Sequence, residues 1–400
     1  MNPEVVAAII AATVSVLTLV GTLAAQYFGR RATSQDTQQA LQEQRRQLDR
    51  TLEEQGKQLD RTLAEQRTRT LNERFTTAAE QVGSDNPTVR LAGVYAIAGL
   101  ADDWQENRQT CVDVLCGYLR MPYEPDPGQA APEMQRLAFK AFRQVRHTII
   151  RVITAHLKKD AAVSWQGLNF DFTDVVFDGG EFGGAQFSGG EVSFDGAKFS
   201  GGEVSFSNAQ FSDGRVSFYR AQFSGSTVAF YFAQFSGGEV GFDRAQFSAG
   251  TVCFDNAQFS GGGVSFGGAQ FSGGEVSFDG AQFSKSAANF RVAQFSAGEI
   301  AFRLAKFSGG TVDFGNAQFS GGTVDFRLAK FSGGEVSFGG AQFSGGEVSF
   351  SRARFSSGRV DFNEALFVGG TVDFSHADRA SLPAFPWTET PPGVKLPDLA

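Results

Sequence analysis

Three histidines and three cysteines are the side chains of this 400-residue chain best suited to proton transfer, metal ligation or nucleophilic attack. Their spacing favours none of these. His147 and His156 stand nine residues apart, which is not a ligand spacing on one helix, and they read as core or boundary histidines. His376 falls at an outward position near the end of a repeat array and reads as solvated surface. Cys111, Cys116 and Cys253 show no CxxC spacing, so the expectation is small buried or incidental thiols in a reducing compartment. A phosphate-loop GxxxxGK[ST] is absent from the sequence, and no set of nucleophile, base and orienter can be assembled. The expectation is therefore no enzyme, no cofactor, and no catalytic, cofactor-binding or metal site.

What the chain does carry is repetition. AQFSGGEVSFDG at 269–280 recurs in close copies, in one register, sixteen times between residues 185 and 376. With Ala as position 1, positions 3 and 10 are Phe in every unit, and position 8 is Val except at Ala288 and Ile300. A small or β-branched residue two places before a large one, pointing the same way, is the alternation of a short strand. Each unit supplies two such strands.

Twelve residues at ~3.3 Å each would close a turn of about 40 Å perimeter, with walls only about 10 Å apart. That is too narrow for two Phe rings plus Ala and Val, so two units, 24 residues, are expected per coil. Surface charge agrees. Asp at 313, 325, 361 and 373 would form like-charge pairs in a 12-residue coil and avoids them in a 24-residue one. The expected product is a rod of about eight coils with a stacked Phe interior, each ring worth roughly 1.5–3 kcal/mol of burial. Its ends need covering against edge pairing, by a helical region with Trp165 at one end and LPAFPWTETPPGVKLP, 382–397, at the other.

VSFDG at 276–280 and AQFSK at 281–285 are two pentads with Val or Ala two places before a central Phe, and Phe172, Phe177, Phe182 and Phe187 are spaced by five. This pattern resembles the pentapeptide-repeat family, whose motif is written A-(D/N)-L-x-x. The resemblance covers about half the chain, residues 165–378, and implies a right-handed quadrilateral β-helix with four pentads per coil. The sequence departs from it by two extra residues per twelve, GE or GT, expected to bulge at two of four corners where Gly permits φ > 0.

The elements before the repeats differ in kind. Residues 5–25 carry no charge and at 1.5 Å per residue would cover roughly 30 Å, a bilayer core. A retained single-pass anchor is preferred over a cleaved signal peptide, because MNPE lacks a basic n-region. Arg30, Arg31, Arg45 and Arg46 follow the span and no Lys or Arg precedes it, which places the N-terminus outside and the bulk of the chain in the cytoplasm. QLDRTLEEQGK at 47–57 recurs as QLDRTLAEQRT at 58–68, and its period of eleven aligns Leu41, Leu52 and Leu63 with Leu48 and Leu59 between them. A parallel homo-oligomeric stalk is the preferred reading of this thin seam, with a single solvated helix held by pairs such as Arg50/Glu54 and Glu53/Lys57 as the alternative. Amphipathic helices at 86–103, 108–121 and the basic stretch 131–160 follow, the first with Asn86 as N-cap and Pro87 at the first helical position.

The chain is thus expected to divide into a transmembrane anchor (1–31), a helical stalk or coiled coil (32–70), a small α-helical domain (71–160), the pentapeptide-repeat β-helix (161–378) and a C-terminal cap or tail (379–400). The fold class is mostly β. The whole layout, including LNERFTTAAEQVGSDNPTVRLAGVYAIAGLADDW, resembles membrane-anchored pentapeptide-repeat proteins of actinobacteria.

A net charge of −8 argues against a nucleic-acid partner. The outward positions that break the polar pattern are an aromatic group, Tyr219, Tyr231 and Phe232, and the pair Leu304 and Leu328, which would stack in a 24-residue coil. These are the candidate partner surface of a membrane-tethered, non-enzymatic scaffold binding an unknown protein. The alternative is a DNA-mimicking regulator of a topoisomerase, gyrase, an activity the family resemblance implies. Arg215, Arg220, Arg244, Arg303, Arg327 and Arg359 interrupt the acidic face such mimicry needs.

Overall fold

A computed structural model of the chain describes residues 3–28, 34–124, 126–285, 287–356, 359–377, 382, 383, 385 and 387–397. The chain divides into two compact units, Met1–Glu73 and Arg74–Ala400.

The first unit contains α1 (Pro3–Phe28) and most of α2 (Ser34–Val82). In α1 the hydroxyls of Ser15, Thr18 and Thr22 donate to carbonyls four residues back, so these polar side chains are satisfied within the helix. Its described large apolar side chains, among them Ile10, Leu17, Leu19 and Leu23, are exposed. Among the described residues no helix is long and apolar enough to cross a membrane. The predicted span lies partly outside them, because the described side chains of α1 are those of Ala8 and of residues 10–24, and Arg30 and Arg31 are also outside. In α2 the leucines of the eleven-residue repeat, Leu41, Leu48, Leu52, Leu59 and Leu63, are all exposed. Lys57 pairs with Glu53 at 2.5 Å, one of the two i,i+4 pairs expected there.

The second unit opens with three helices. α3 (Pro87–Asp103) begins as its sequence dictates: the Asn86 side chain accepts from the Thr88 amide at 2.9 Å, with Pro87 in the first turn. α4 (Arg108–Arg120) buries Cys111, Leu115, Cys116 and Tyr118. α5 (Glu133–Leu157) is exposed over much of its first half and buries Val145, Ile149, Ile150 and Ile153 in its second.

The rest is a parallel β-solenoid of about nine turns, its strands falling into two sheets of 13 and 12. The repeat length is read directly from the ladders: Phe187 pairs with Phe211, Phe211 with Phe235, and Phe271 with Phe295, each 24 residues on. Two units make one coil. The aspartates interleave accordingly, Asp313 pairing with Ser337 and Ser337 with Asp361. Register irregularities sit at the two-residue inserts, between Phe187 and Glu191 for example, where Gly189 and Gly190 adopt φ of +74° and +69°. The first coil is shorter. Phe170 pairs with Val192 and Val176 with Lys198, 22 residues on, because the lead-in lacks one of the inserts.

Each coil contributes four rings to the interior, and each ring stacks on its copy above and below. Centroid spacings run from 4.5 Å, between Phe218 and Phe242, to 5.2 Å, between Phe187 and Phe211. Across the axis the position-10 rings of the two half-coils meet edge to face, as Phe194 does with Phe206 at 5.6 Å and 86°. Offset stacking along one direction and T-shaped contact across it satisfies the ring quadrupoles in both. Ala and Val at positions 1 and 8 fill the remaining volume, both buried.

Both ends of the stack are covered. At the N-terminal end Trp165 is fully buried, stacked on His156 at 4.0 Å and donating from Nε1 to Asp102 at 2.9 Å. Buried Arg146 ties α5 to its neighbours, donating to the carbonyls of Leu119 at 2.6 Å and Val176 at 2.8 Å. At the C-terminal end Phe385 packs against Phe374 at 5.1 Å and Trp387 against Phe367 at 4.7 Å, while Val394 pairs with Val372.

Asp178 is the polar hub of the N-terminal junction. It accepts from Tyr123 Oη at 2.6 Å and Arg143 Nε at 2.7 Å, and lies 3.0 Å from His147 Nε2. Burial alone would raise its carboxyl, but the hydrogen bonds from His147, Tyr123 and Arg143 outweigh it and hold the carboxyl at about 2. Its folded value is depressed, so its contribution is full above the ordinary carboxylate value and disappears as pH falls from about 4 to 2. Asp178→Asn is expected to be about 2 kcal/mol less stable than the parent at pH 7, a gap that closes over that window. Urea unfolding at a series of pH values measures it; parallel curves would refute the assignment.

Candidate interaction surface

The outer surface is organised by its corners. Between Phe at position 10 and the next Ala the chain makes a four-residue turn closed by an Ala N–H to Phe carbonyl bond, 3.1 Å from Ala233 to Phe230 and 3.1 Å from Ala305 to Phe302. The third residue of this turn, position 12, has positive φ, as a type II turn requires. Gly196, Gly268, Gly280 and Gly340 fit, as do Asn208, Asn256 and Asn316. Eight other side chains do not: the apolar Phe232 (φ 56°), Val292 (50°), Leu304 (59°) and Leu328 (60°), and the charged Arg220 (56°), Arg244 (55°), Arg352 (60°) and Glu364 (60°). Each side chain in this region costs roughly 1–2 kcal/mol where Gly costs none.

The four apolar misfits are exposed, Phe232, Val292 and Leu304 by 54–55% and Leu328 by 44%. Strain and apolar exposure coincide at these four positions, while Arg220, Arg244, Arg352 and Glu364 share the strain and expose charge instead. The sequence singled out Phe232, Leu304 and Leu328 by exposure alone and missed Val292. The signal that could have found it is the Gly and Asn enrichment at position 12, which marks a left-handed turn.

The 24-residue coil separates the position-12 residues into two corner ladders. Phe232, Leu304 and Leu328 share one with Asn208, Asn256 and Gly280, and the Leu304 amide bonds to the Arg327 carbonyl of the next coil at 3.2 Å. Leu304 and Leu328 are neighbours on this ladder, as expected. Tyr231 lies beside Phe232, but Tyr219 belongs to the other ladder, half a coil away, because it precedes Tyr231 by one unit. The three aromatics therefore form no single group. Tyr219 instead lies under the Arg220 guanidinium at 5.0 Å and accepts from Arg244 at 3.3 Å.

Charges beside the leucines are matched locally. Arg303 pairs with Asp279 at 2.8 Å, and Arg327 with buried Asp325 at 2.6 Å. The Tyr231 hydroxyl is pushed up to about 12 by its hydrogen bond with Cys253, then by burial. The three cysteines are free and buried. Burial pushes the Cys111 thiol to about 11 and that of Cys116 to about 12, which leaves little thiolate for nucleophilic chemistry. His147 and His156 are held at the junction by Asp178 and Asp102, and His376 is exposed, near the hydroxyls of Ser375 and Ser351. Among the described residues no group of three or more His, Cys, Asp and Glu is arranged to hold a metal ion.

Comparison with known proteins returned no matching family model, no matching curated protein and no matching solved structure.

Proposed function

We propose that this chain is a non-enzymatic interaction scaffold of the pentapeptide-repeat type, a right-handed quadrilateral β-helix that holds a protein partner on the corner ladder of Phe232, Leu304 and Leu328. The observation that carries this reading is the coincidence just described. At Phe232, Leu304 and Leu328 a side chain that costs stability in a turn built for Gly exposes apolar surface, where Arg220, Arg244, Arg352 and Glu364 in the same turn position expose charge, and a binding role accounts for the apolar choice. The solenoid supports the scaffold reading more broadly, since stacked coils present long regular faces.

The scaffold is tethered at the cell membrane by α1 as a single pass, with the N-terminus outside and the bulk of the chain cytoplasmic. What supports this reading is the sequence, in which residues 5–25 carry no charge and arginines follow only after them, together with the exposure of the described large apolar side chains of α1. Exposed leucines along α2 support a parallel homo-oligomer through the stalk. The gyrase-mimic alternative gains nothing, because acids it would display are neutralised by Arg291, Arg303 and Arg327.

Replacing Phe232, Leu304 and Leu328 together with Asn separates stability from binding. Each change relieves a strained turn, so the triple variant is expected to be more stable by about 1 kcal/mol per site. Crosslinking in native membranes should at the same time lose the partner recovered with the unaltered chain. Undiminished crosslinking would remove this ladder from the interface.

A further inference from the structure

The first half of α5 carries Arg136, Lys140 and Arg143 at spacings of four and three, which places them on one helical face. That face lines a pocket of about 600 Å³ together with Asp126, Gly128, Asp178, Gly201 and Gly202. The volume is that of a site for a small organic ligand.

The charges in the pocket are unequally committed. Arg143 is occupied, donating from Nε to the Asp178 carboxylate at 2.7 Å and from Nη2 to the Asp178 carbonyl at 2.9 Å. Asp178 is saturated by Arg143, Tyr123 and His147, and Asp126 accepts from its own loop's Gly128 amide at 2.8 Å. Arg136 and Lys140 make no ion pair among the described residues. The Nε of Arg136 is in addition buried without a hydrogen-bond partner among them. A buried guanidinium nitrogen with nothing to donate to is a standing demand for an anion. Space is available for one: a Cβ on Gly128 or Gly201 would meet no atom within 4 Å.

We propose that this pocket binds a phosphate monoester, with Arg136 and Lys140 as its counter-charges and the Arg143–Asp178 pair as a fixed wall. A monoester carries a charge of about −1.5 to −2 and three acceptor oxygens, enough for both uncommitted cations, whereas a single carboxylate neutralises one. The same group occurs on soluble metabolites and on a phosphatidic acid headgroup. The site is independent of the corner ladder and of the partner reading above.

The test is calorimetric titration of the detergent-solubilised full chain with glycerol 3-phosphate, with dihexanoyl phosphatidic acid, and with succinate. Saturable 1:1 binding of at least one phosphate probe is expected, weakened about tenfold or more by Arg136→Gln/Lys140→Gln. Lys140→Gln alone, at an exposed position that leaves the core untouched, should weaken it in the same direction. Equal affinity for the two phosphate probes identifies a soluble ester, and a preference for the lipid of about tenfold identifies a headgroup. Absence of saturable binding of either phosphate probe at millimolar concentration, indifference to both variants, or succinate binding as tightly, would each overturn the assignment.

Discussion

Phe254→Ala is expected to destabilise the solenoid by about 3–5 kcal/mol, the range for removing a buried aromatic from a core that cannot collapse. Collapse is prevented by the ladders. Phe254 is fully buried between Phe230 at 4.6 Å and Phe278 at 4.7 Å, with Phe242 and Phe266 edge-on at 5.6 and 5.9 Å. The coils on either side are pinned by their own backbone pairing and cannot close the gap without breaking it. Phe254→Leu, which refills much of the volume, should cost substantially less. Adding Phe278→Ala should cost less than a second full increment, because the two cavities merge. Urea unfolding measures all three, and a loss below about 1 kcal/mol for Phe254→Ala would sink the stacked-core account.

Neighbouring glycines should respond to alanine in opposite ways. Gly262 has φ of +68°, and a Cβ there would overlap the carbonyl oxygen of Gly238 in the coil beneath. Gly238 stands in the same relation to Gly214, so this corner is a column of backbone resting on backbone. Gly262→Ala adds the left-handed penalty to a forced separation of coils, and a loss of at least about 2 kcal/mol is expected. One residue on, a Cβ at Gly263 meets nothing within 4 Å, and its ladder neighbours are Glu239 and Ala287. Gly263→Ala should stay within about 0.5 kcal/mol of the parent. Comparable melting shifts for the two would show that close coil contact does not set the requirement for glycine.

The repeat was legible because its signal is one-dimensional. A Phe at positions 3 and 10 of every unit fixes strand direction, and the width of a Phe pair fixes two units per coil, which the pairing of Phe187 with Phe211 bears out. The inserts could be located but their effect on the first coil could not, since that required knowing which pentads stack. Position 12 was harder. Its occupants look like ordinary surface variation until the turn geometry shows that Gly and Asn are the relaxed choices and Val292 and Leu304 the strained ones. Asp178 was invisible for a different reason. Its partners Tyr123, Arg143 and His147 come from 31 to 55 residues earlier, brought together only when α5 and the loop before it pack on the first coil.

The 24-residue coil gives the rod a parity. Gaining or losing two units leaves every outward side chain on the ladder it already occupies, but gaining or losing one transfers everything downstream to the other. A single unit inserted between Leu304 and Leu328 would leave both sequences intact and put the two leucines on different corners. Length can therefore drift in even steps without disturbing what each face displays, while an odd step re-addresses the whole distal surface at once.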